Sequence, residues 1–129
     1  MFSAKRSLSN LEQLVMGVLW EHGSATAEAI REGLAKRHFM KESTARTVLH
    51  RLEQKGYVRH RVEGRTNVYS GLEPPAKVAA KAVRQLVDRF CGGSVEELLV
   101  GMVEHEVIDS RELAQVARKI ARGKAEEGE

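Results

Sequence analysis

The spacing of the apolar residues changes at Gly56, and this change limits the fold more than any other feature of the sequence. Before Gly56, three stretches repeat apolar residues at the intervals typical of amphipathic helices. After it, residues 57–62 and 66–70 alternate between apolar and polar, as paired strands do, with a turn signal at 63–65. Three helices followed by a β-hairpin are therefore expected in this part of the chain.

Capping signals support these helices. Ser9 and Glu12 form a capping box for the first helix, and Thr26 is a typical N-cap for the second. The third helix is expected over residues 43–55, before the glycine that precedes the hairpin. This order of elements predicts a mainly α fold with a small β-hairpin wing, a winged helix-turn-helix domain over residues 1–72.

The pattern of residues 73–123 is helical throughout. A proline pair marks the boundary and can begin a helix, which two glycines then end. Two further capping boxes, Ser94 with Glu97 and Asp109 with Glu112, predict two more helices. The second part of the chain is therefore expected to contain three short helices.

Three helices of this size rarely bury enough apolar surface to be stable alone. We therefore predict that residues 73–123 form a helical dimerisation domain, which shares its core with a second copy of the chain. The residues expected at the dimer interface are Val83, Leu86, Phe90, Leu98, Leu99, Met102, Leu113, Val116 and Ile120. Residues 124–129 show no periodicity and are expected to form a disordered tail.

Basic residues are concentrated in the N-terminal part of the chain. Residues 1–72 hold 12 lysines and arginines against 7 acidic residues, whereas residues 73–129 hold 9 against 11. This asymmetry favours an N-terminal unit that contacts a polyanion and a C-terminal unit with another task. A basic face that is merely solvated is the alternative interpretation.

The cysteine content and the hydropathy indicate a cytoplasmic location. Cys91 is the single cysteine, which excludes an internal disulfide and fits a reducing compartment. The longest apolar run, residues 14–20, is far shorter than the roughly 20 residues of a membrane-spanning helix. No signal peptide is recognisable at the N-terminus, and no membrane partner is expected.

The predicted third helix carries residue types that read DNA in the major groove. Opposite its apolar stripe lie short polar side chains, which allow a close approach, and an arginine that can fork onto guanine. Farther along, Arg51 and Lys55 are expected to contact phosphates, and the hairpin adds basic residues. The predicted DNA-binding residues are Ser43, Thr44, Arg46, Thr47, His50 and Arg51 in the helix and Arg61, Arg65 and Asn67 in the hairpin. A solvated helix face is again the alternative.

Four segments carry a resemblance to a known family: LSNLEQLVMGVLWEHG (8–23), STARTVLHRLEQKGYV (43–58), EGRTNVY (63–69) and, more weakly, VDRFCGGSVEELLVGMV (87–103). With these segments the chain resembles the penicillinase and methicillin-resistance repressors, the BlaI/MecI/CopY type of bacterial transcription regulators. The resemblance implies a homodimer that binds a palindromic double-stranded DNA operator and represses transcription. By position, Ser43, Thr44, Arg46 and Thr47 match the family's base- and phosphate-contacting helix, and Arg65 and Asn67 match its wing.

Two departures from the family pattern bear on function. Family members often open the recognition helix with Ser-Pro, whereas this chain has Lys41-Glu42, and Glu42 would repel a nearby phosphate. Either Lys41 or Ser43 could then be the N-cap. The copper-responsive branch carries a C-terminal cysteine cluster, whereas this chain has Cys91 alone. Metal sensing by that route is therefore not expected.

The resemblance also implies that a signalling protease is a possible partner, which would relieve repression by cutting a helix of the dimerisation domain. The family's cleaved Asn-Phe pair is matched here by Gly101-Met102, so cleavage by a protease of that kind is not assumed. Gly101 is a weak point in the helix, because glycine costs about 1 kcal/mol relative to alanine, or else a point where another helix of the dimer approaches closely.

Other functions have little support in the sequence. The five histidines lack metal-ligand spacing and are expected at the surface or in packing, and Trp20 is expected in core or interdomain packing rather than as a ligand platform. No phosphate-binding glycine loop or nucleophile motif is present, so we expect no enzyme, no cofactor and no metal, and a small hydrolase is the weakest alternative. The main alternative is a winged helix that binds an acidic protein partner, which predicts neither steep salt dependence nor a preferred palindrome.

Overall fold

The computed structural model of the protein describes residues 7–127. In chain order its elements are α1 (Asn10–His22), β1 (Ser24–Ala25), α2 (Ala27–Leu34), α3 (Glu42–Gln54), β2 (Val58–Glu63), β3 (Thr66–Gly71), α4 (Pro75–Phe90), α5 (Val95–Glu104) and α6 (Ser110–Glu127). This order confirms the predicted fold class. The chain divides into two compact units, which meet within α4 between Ala82 and Val83.

The boundary between the units lies later than the predicted one at residues 72–73. The proline pair does begin α4, but Val78 in the first half of this helix is buried in the core of the first unit. The carboxylate of Glu73 also forms ion pairs with Lys77 and Lys81, at 3.0 and 3.2 Å. The first turns of α4 therefore belong to the winged helix unit.

The first unit is built on helices whose apolar faces meet in one core. The predicted capping box of α1 is confirmed: the Ser9 hydroxyl accepts the Glu12 N–H, and the Glu12 carboxylate accepts the Ser9 N–H at 2.8 Å. Thr26 likewise caps α2 by accepting the Ala29 N–H. The fully buried side chains of the core include Val15, Met16, Leu19, Ile30, Leu34, Ala45, Val48, Leu49 and Leu52.

The predicted hairpin is part of a three-stranded antiparallel sheet in the order β1-β3-β2. The sequence pattern did not indicate β1, which pairs Ser24 with Ser70 and Ala25 with Tyr69. At the other edge of β3, the hairpin with β2 closes at Gly64, whose φ of +65° fits the first position of a type II′ turn. The wing is therefore anchored to the end of α1 through β1.

The recognition helix α3 starts one residue earlier than expected. Lys41 is its N-cap and Glu42 its first residue, which answers the question of which residue occupies the cap position. The Lys41 side chain makes no capping hydrogen bond to any residue that the structure describes. Four buried apolar side chains on one face of α3, from Ala45 to Leu52, pack this helix against the core as predicted.

The second unit contains the end of α4 with α5 and α6. Ser94 caps α5 through the Glu97 N–H, but its own N–H donates to the Cys91 carbonyl, so the reciprocal half of the predicted capping box is absent among the described residues. Asp109 caps α6 through the N–H of Arg111 rather than that of Glu112. Both helices start where predicted, each with a single cap in place of a box.

The prediction of a disordered tail over 124–129 is wrong for residues 124–127. Helix α6 continues through Gly123 to Glu127, and residues 128–129 lie outside the described residues. A glycine inside a helix costs about 1 kcal/mol relative to alanine, but strong helix formers such as Arg122 and Lys124 flank it. Within residues 7–127, none of the helices is both long enough and apolar enough to cross a membrane.

Candidate nucleic-acid interface

Helix α3 has one fully buried face and one polar face that is open to solvent. Its apolar stripe faces the core, so the geometry of the helix turns the remaining side chains outward. All six predicted contact residues of this helix are exposed: Ser43, Thr44, Arg46, Thr47, His50 and Arg51. The face carries hydroxyl, imidazole and guanidinium groups, which can donate to base edges and phosphates.

Two local contacts orient side chains at the N-terminal end of α3. The Arg46 guanidinium donates through Nη1 to the Glu42 carboxylate one turn earlier, and the arginine side chain stays 58% exposed. The Thr47 hydroxyl donates to the Ser43 carbonyl at 3.0 Å, which leaves its oxygen lone pairs and its methyl group available to a ligand. Arg46 is therefore held in place and still accessible.

The wing presents three predicted contact residues to solvent. Arg65 lies in the turn beside Gly64, and Asn67 is exposed on β3. Arg61 is also exposed, and its Nε donates to the Glu63 carboxylate at 2.6 Å. Arg65 therefore lies at the tip of the hairpin, and Arg61 and Asn67 lie on its two strands.

A histidine links the wing to the recognition helix. The Nδ1 atom of His60 on β2 lies 2.8 Å from the Glu53 carboxylate on α3, and the imidazole packs against the ring of Tyr69 at a centroid distance of 5.4 Å. The carboxylate can only accept, so Nδ1 carries the proton. His60 was expected at the surface or in packing. Its pairing with Glu53 was not expected, because the two residues lie on different elements and their spacing in the sequence does not reveal the contact.

The prediction that Lys55 contacts phosphate is wrong. Its Nζ lies 2.6 Å from the Glu12 carboxylate of α1 and also donates to the Ser7 carbonyl at 3.2 Å. Burial acts to raise the pKa of the Glu12 carboxyl, but the bonds from Lys55 and Ser9 and the charge of Lys55 outweigh it and hold that pKa below its ordinary value. Lys55 therefore neutralises a buried carboxylate inside the unit.

Trp20 packs as expected. It is partly buried against the core, and its indole Nε1 donates to the Glu73 carbonyl at 3.2 Å. A Cβ added at Gly71 would lie 3.3 Å from the same nitrogen, so the strand end and the indole are closely fitted. This tryptophan fastens α1 to the segment that leads into α4.

Phe39 is an exposed residue that the sequence pattern did not single out. It lies in the loop before α3 and is 78% exposed, whereas Met40 next to it is buried in the core. An apolar side chain close to the start of the recognition helix can contact a thymine methyl group. The sequence signal that was available is the apolar pair at residues 39–40 in the short connection before α3, where one side chain can fill the core and the other is left outside it.

The predicted dimerisation residues are only partly covered. Exposed side chains are those of Val83, Leu86, Phe90, Val116 and Ile120. Half-buried side chains are those of Leu98, Leu99, Met102 and Leu113. Gly101 and Met102, the predicted cleavage region, lie within α5 and are half-buried. Among the described residues, no group of three His, Cys, Asp or Glu side chains is arranged to hold a metal ion.

A three-helix core, an exposed polar recognition helix and an adjoining basic hairpin together define a winged helix-turn-helix DNA-binding domain. The chain belongs to the penicillinase repressor family, whose sequence profile matches residues 8–122. The predicted family resemblance is therefore confirmed.

The similar proteins include repressors and a DNA-binding domain. The penicillinase repressor of Bacillus licheniformis is 26% identical over 110 residues, which cover 84% of this chain and 85% of that protein. The methicillin resistance regulatory protein MecI of Staphylococcus aureus strain N315 is 23% identical over 109 residues, covering 84% and 89%. The solved DNA-binding domain of the repressor BlaI is 31% identical, with a TM-score of 0.51, and the match covers 58% of this chain and 92% of that one.

The chain is therefore a DNA-binding transcriptional repressor, as predicted. The family consists of repressors and not of enzymes, which removes the small hydrolase from consideration.

Proposed function

We propose that the repressor binds a palindromic operator as a homodimer, with the N-terminal half of α3 in the major groove of each half-site. The observation that carries this proposal is the exposed polar face of α3, which is backed by four fully buried side chains. A helix held so firmly from behind can insert its other face into a groove without rearrangement.

The contact residues divide into two roles. Near the start of α3, Arg46 is placed to read a guanine, and the small side chains beside it allow the backbone to come close to the duplex. Later in the helix and on the wing, the charged residues meet phosphates or the minor groove. The proposed contacts are Ser43, Thr44, Arg46, Thr47, His50 and Arg51 on α3, with Arg61, Arg65 and Asn67 on the wing.

Dimerisation is proposed through the second unit. None of the described residues of α5 is fully buried, and Phe90 at the end of α4 is 79% exposed. Leu99, Val103 and Leu113 help to line an open groove of about 580 Å³ in this unit. So much exposed apolar surface on three short helices favours a shared core with a second copy. The proposed interface comprises Val83, Leu86, Phe90, Leu98, Leu99, Met102, Leu113, Val116 and Ile120.

A signalling protease is the further partner that the family resemblance suggests, with Gly101-Met102 as its region of action. A Cβ added at Gly101 would meet no atom within 4 Å among the described residues, so packing inside one chain does not account for the glycine. A locally weak helix and a close approach by the second copy both remain as explanations.

For the location of the repressor, we propose the cytoplasm, where it meets chromosomal DNA and where Cys91 is a free thiol.

The proposal is tested by sequencing the duplexes that the purified full-length protein retains from a random library. We expect enrichment of a palindrome whose half-sites lie about one helical turn, or a multiple of it, apart. Arg46→Ala should then weaken binding to the selected operator by about 1–3 kcal/mol and relax the preference at one base pair per half-site. Arg65→Ala should weaken operator and random DNA to a similar extent, because a wing arginine meets phosphate.

Two results would contradict the proposed docking. The first is a library from which no sequence is enriched. The second is an unchanged operator affinity for Arg46→Ala while the variant remains folded, which would mean that α3 does not read bases near its N-terminal end.

A further inference from the structure

The recognition helix opens with an acidic residue in a place where DNA would be close. Glu42 is the first residue of α3, and its side chain remains 44% exposed. The positive end of the helix dipole favours a carboxylate at this position. On a surface that approaches phosphates, however, a negative charge weakens binding to every DNA sequence. The carboxylate therefore calls for an explanation other than affinity.

Beyond the favourable helix dipole, the pairing of Glu42 with Arg46 adds little to the stability of the helix. Glu42 accepts a hydrogen bond from Nη1 of Arg46 one turn later, and both side chains are about half exposed. Ion pairs between exposed residues four positions apart contribute little to folding, since solvent screens them and two long side chains must be ordered. The clearest effect of the pair is on the orientation of the arginine.

The negative charge of Glu42 also acts on a second arginine, on the neighbouring helix. Arg31 of α2 is bound to Glu28 at 2.5 Å, and this bond is the largest cause of its raised pKa, to which the negative charge of Glu42 also contributes. The hydrogen bond that the Glu42 carboxylate accepts comes from Arg46 on its own helix, whereas Arg31 donates to Glu28. Alternating charges thus run from α2 to the exposed face of the recognition helix.

We propose that Glu42 is a positioning residue that sets specificity by holding the Arg46 guanidinium ready for a guanine. This inference rests on the proposed docking of α3 in the major groove. The guanidinium has five N–H donors, so a bond from Nη1 to Glu42 leaves enough donors for the guanine O6 and N7. An arginine that is already held loses less freedom on binding and is less available to a nearby phosphate. Glu42 thus lowers the affinity for DNA in general and raises the discrimination between operator and other sequences.

The test compares Glu42→Gln with a charge-matched control, Glu63→Gln. Glu63 on the wing is also about half exposed and is also paired with an arginine, Arg61. Binding of both variants to the library-selected operator and to random duplex is measured by fluorescence anisotropy at one salt concentration. Both variants should bind random DNA more tightly, because each loses one negative charge.

Only Glu42→Gln should lower the ratio of operator affinity to random-DNA affinity, by about fivefold or more. The lost preference should map to the same base pair that Arg46→Ala affects. In the Arg46→Ala background, Glu42→Gln should leave the ratio unchanged, since the arginine that it positions is gone. Thermal unfolding verifies that each variant is folded, and Glu42→Ala repeats the test with a different side chain.

The inference is overturned if Glu42→Gln and Glu63→Gln both raise the two affinities equally, because Glu42 would then act only as a negative charge. This failure is distinguishable from failure of the proposed docking. If Arg46→Ala lowers the operator ratio while Glu42→Gln does not, the docking holds and only the role of Glu42 is lost. If Arg46→Ala itself has no effect on the ratio, the docking fails.

Discussion

Replacing Lys55 with methionine should destabilise the winged helix unit through a carboxylate far away in the sequence. Lys55 follows α3, and Glu12 lies in the first turn of α1, yet the ammonium and the carboxylate are 2.6 Å apart. The Glu12 side chain is only 2% exposed, and that of Lys55 is 18% exposed. Methionine keeps much of the apolar length of the lysine and removes its charge, so the carboxylate loses its cation.

The size of the effect follows from these contacts. Removing one partner of a buried ion pair costs about 3–5 kcal/mol. Here Glu12 keeps the hydrogen bond from the Ser9 N–H, and water can reach the pair from the lysine side. We therefore expect Lys55→Met to lower the free energy of unfolding by about 2–3 kcal/mol at neutral pH.

The effect should depend on pH in a defined direction. The pKa of Glu12 lies below its ordinary value of 4.5 in the folded protein, because the bonds from Lys55 and Ser9 outweigh the effect of burial. A carboxyl with a lowered pKa stabilises the fold above its unfolded pKa, and this contribution is lost as the pH falls through the folded pKa. A protonated Glu12 needs no cation, so the difference between wild type and Lys55→Met should shrink in acid.

Urea unfolding followed by fluorescence measures this difference. Trp20 is the single tryptophan and lies in the first unit, so its emission reports on the relevant part of the chain. Variants are compared at equal protein concentration, since the proposed dimerisation would link stability to concentration. Lys77→Met is the control, because the Lys77 side chain is exposed and its partner Glu73 keeps its ion pair with Lys81, so the loss should cost about 1 kcal/mol or less. Equal losses for Lys55→Met and Lys77→Met, or a loss for Lys55→Met that is the same in acid, would refute the reasoning.

Three other predictions concern DNA binding and assembly. Arg51→Met should reduce the slope of log affinity against log salt by about one phosphate contact, whereas Lys55→Met should leave the slope unchanged; equal slopes for the two variants would contradict this. Gly101→Ala should stabilise the dimer and slow limited proteolysis in α5 if the glycine is a weak point of the helix. It should weaken the dimer and speed cleavage if the second copy packs there, and mass spectrometry of the fragments with sedimentation separates the two outcomes. A chain ending after Ala82 should be a folded monomer that binds the operator weakly, whereas one ending after Leu72 should be less stable, because it lacks Val78 of the core; equal thermal stabilities would contradict the placement of the boundary.

Features that depend only on residues close together in the sequence were predicted correctly. The capping box of Ser9 and Glu12 and the buried stripe of α3 need only residues three or four positions apart, so they are visible without a structure. The exposure of the α3 contact face follows directly from that stripe. The start of α3 was less clear, because Lys41 has no side-chain acceptor with which to cap a helix.

Features that depend on distant partners were missed. The two-residue strand β1 has no pattern of its own and exists because Ser70 and Tyr69 lie beside it. Lys55 resembled a phosphate contact, because nothing in the sequence brings Glu12 next to it. The disordered tail was predicted from a lack of periodicity, which does not prevent good helix formers from extending α6.

The central claim is that two copies of the chain read a palindrome together. It is tested most directly by titrating the full-length protein, at one salt concentration, against the selected palindrome, a single half-site and a random duplex. The account predicts that the palindrome binds about 10²-fold or more tightly than the half-site, because the second recognition event is intramolecular. Random DNA should bind more weakly still, by a factor on the order of 10³ or more relative to the palindrome. Equal affinity for all three duplexes would contradict the claim.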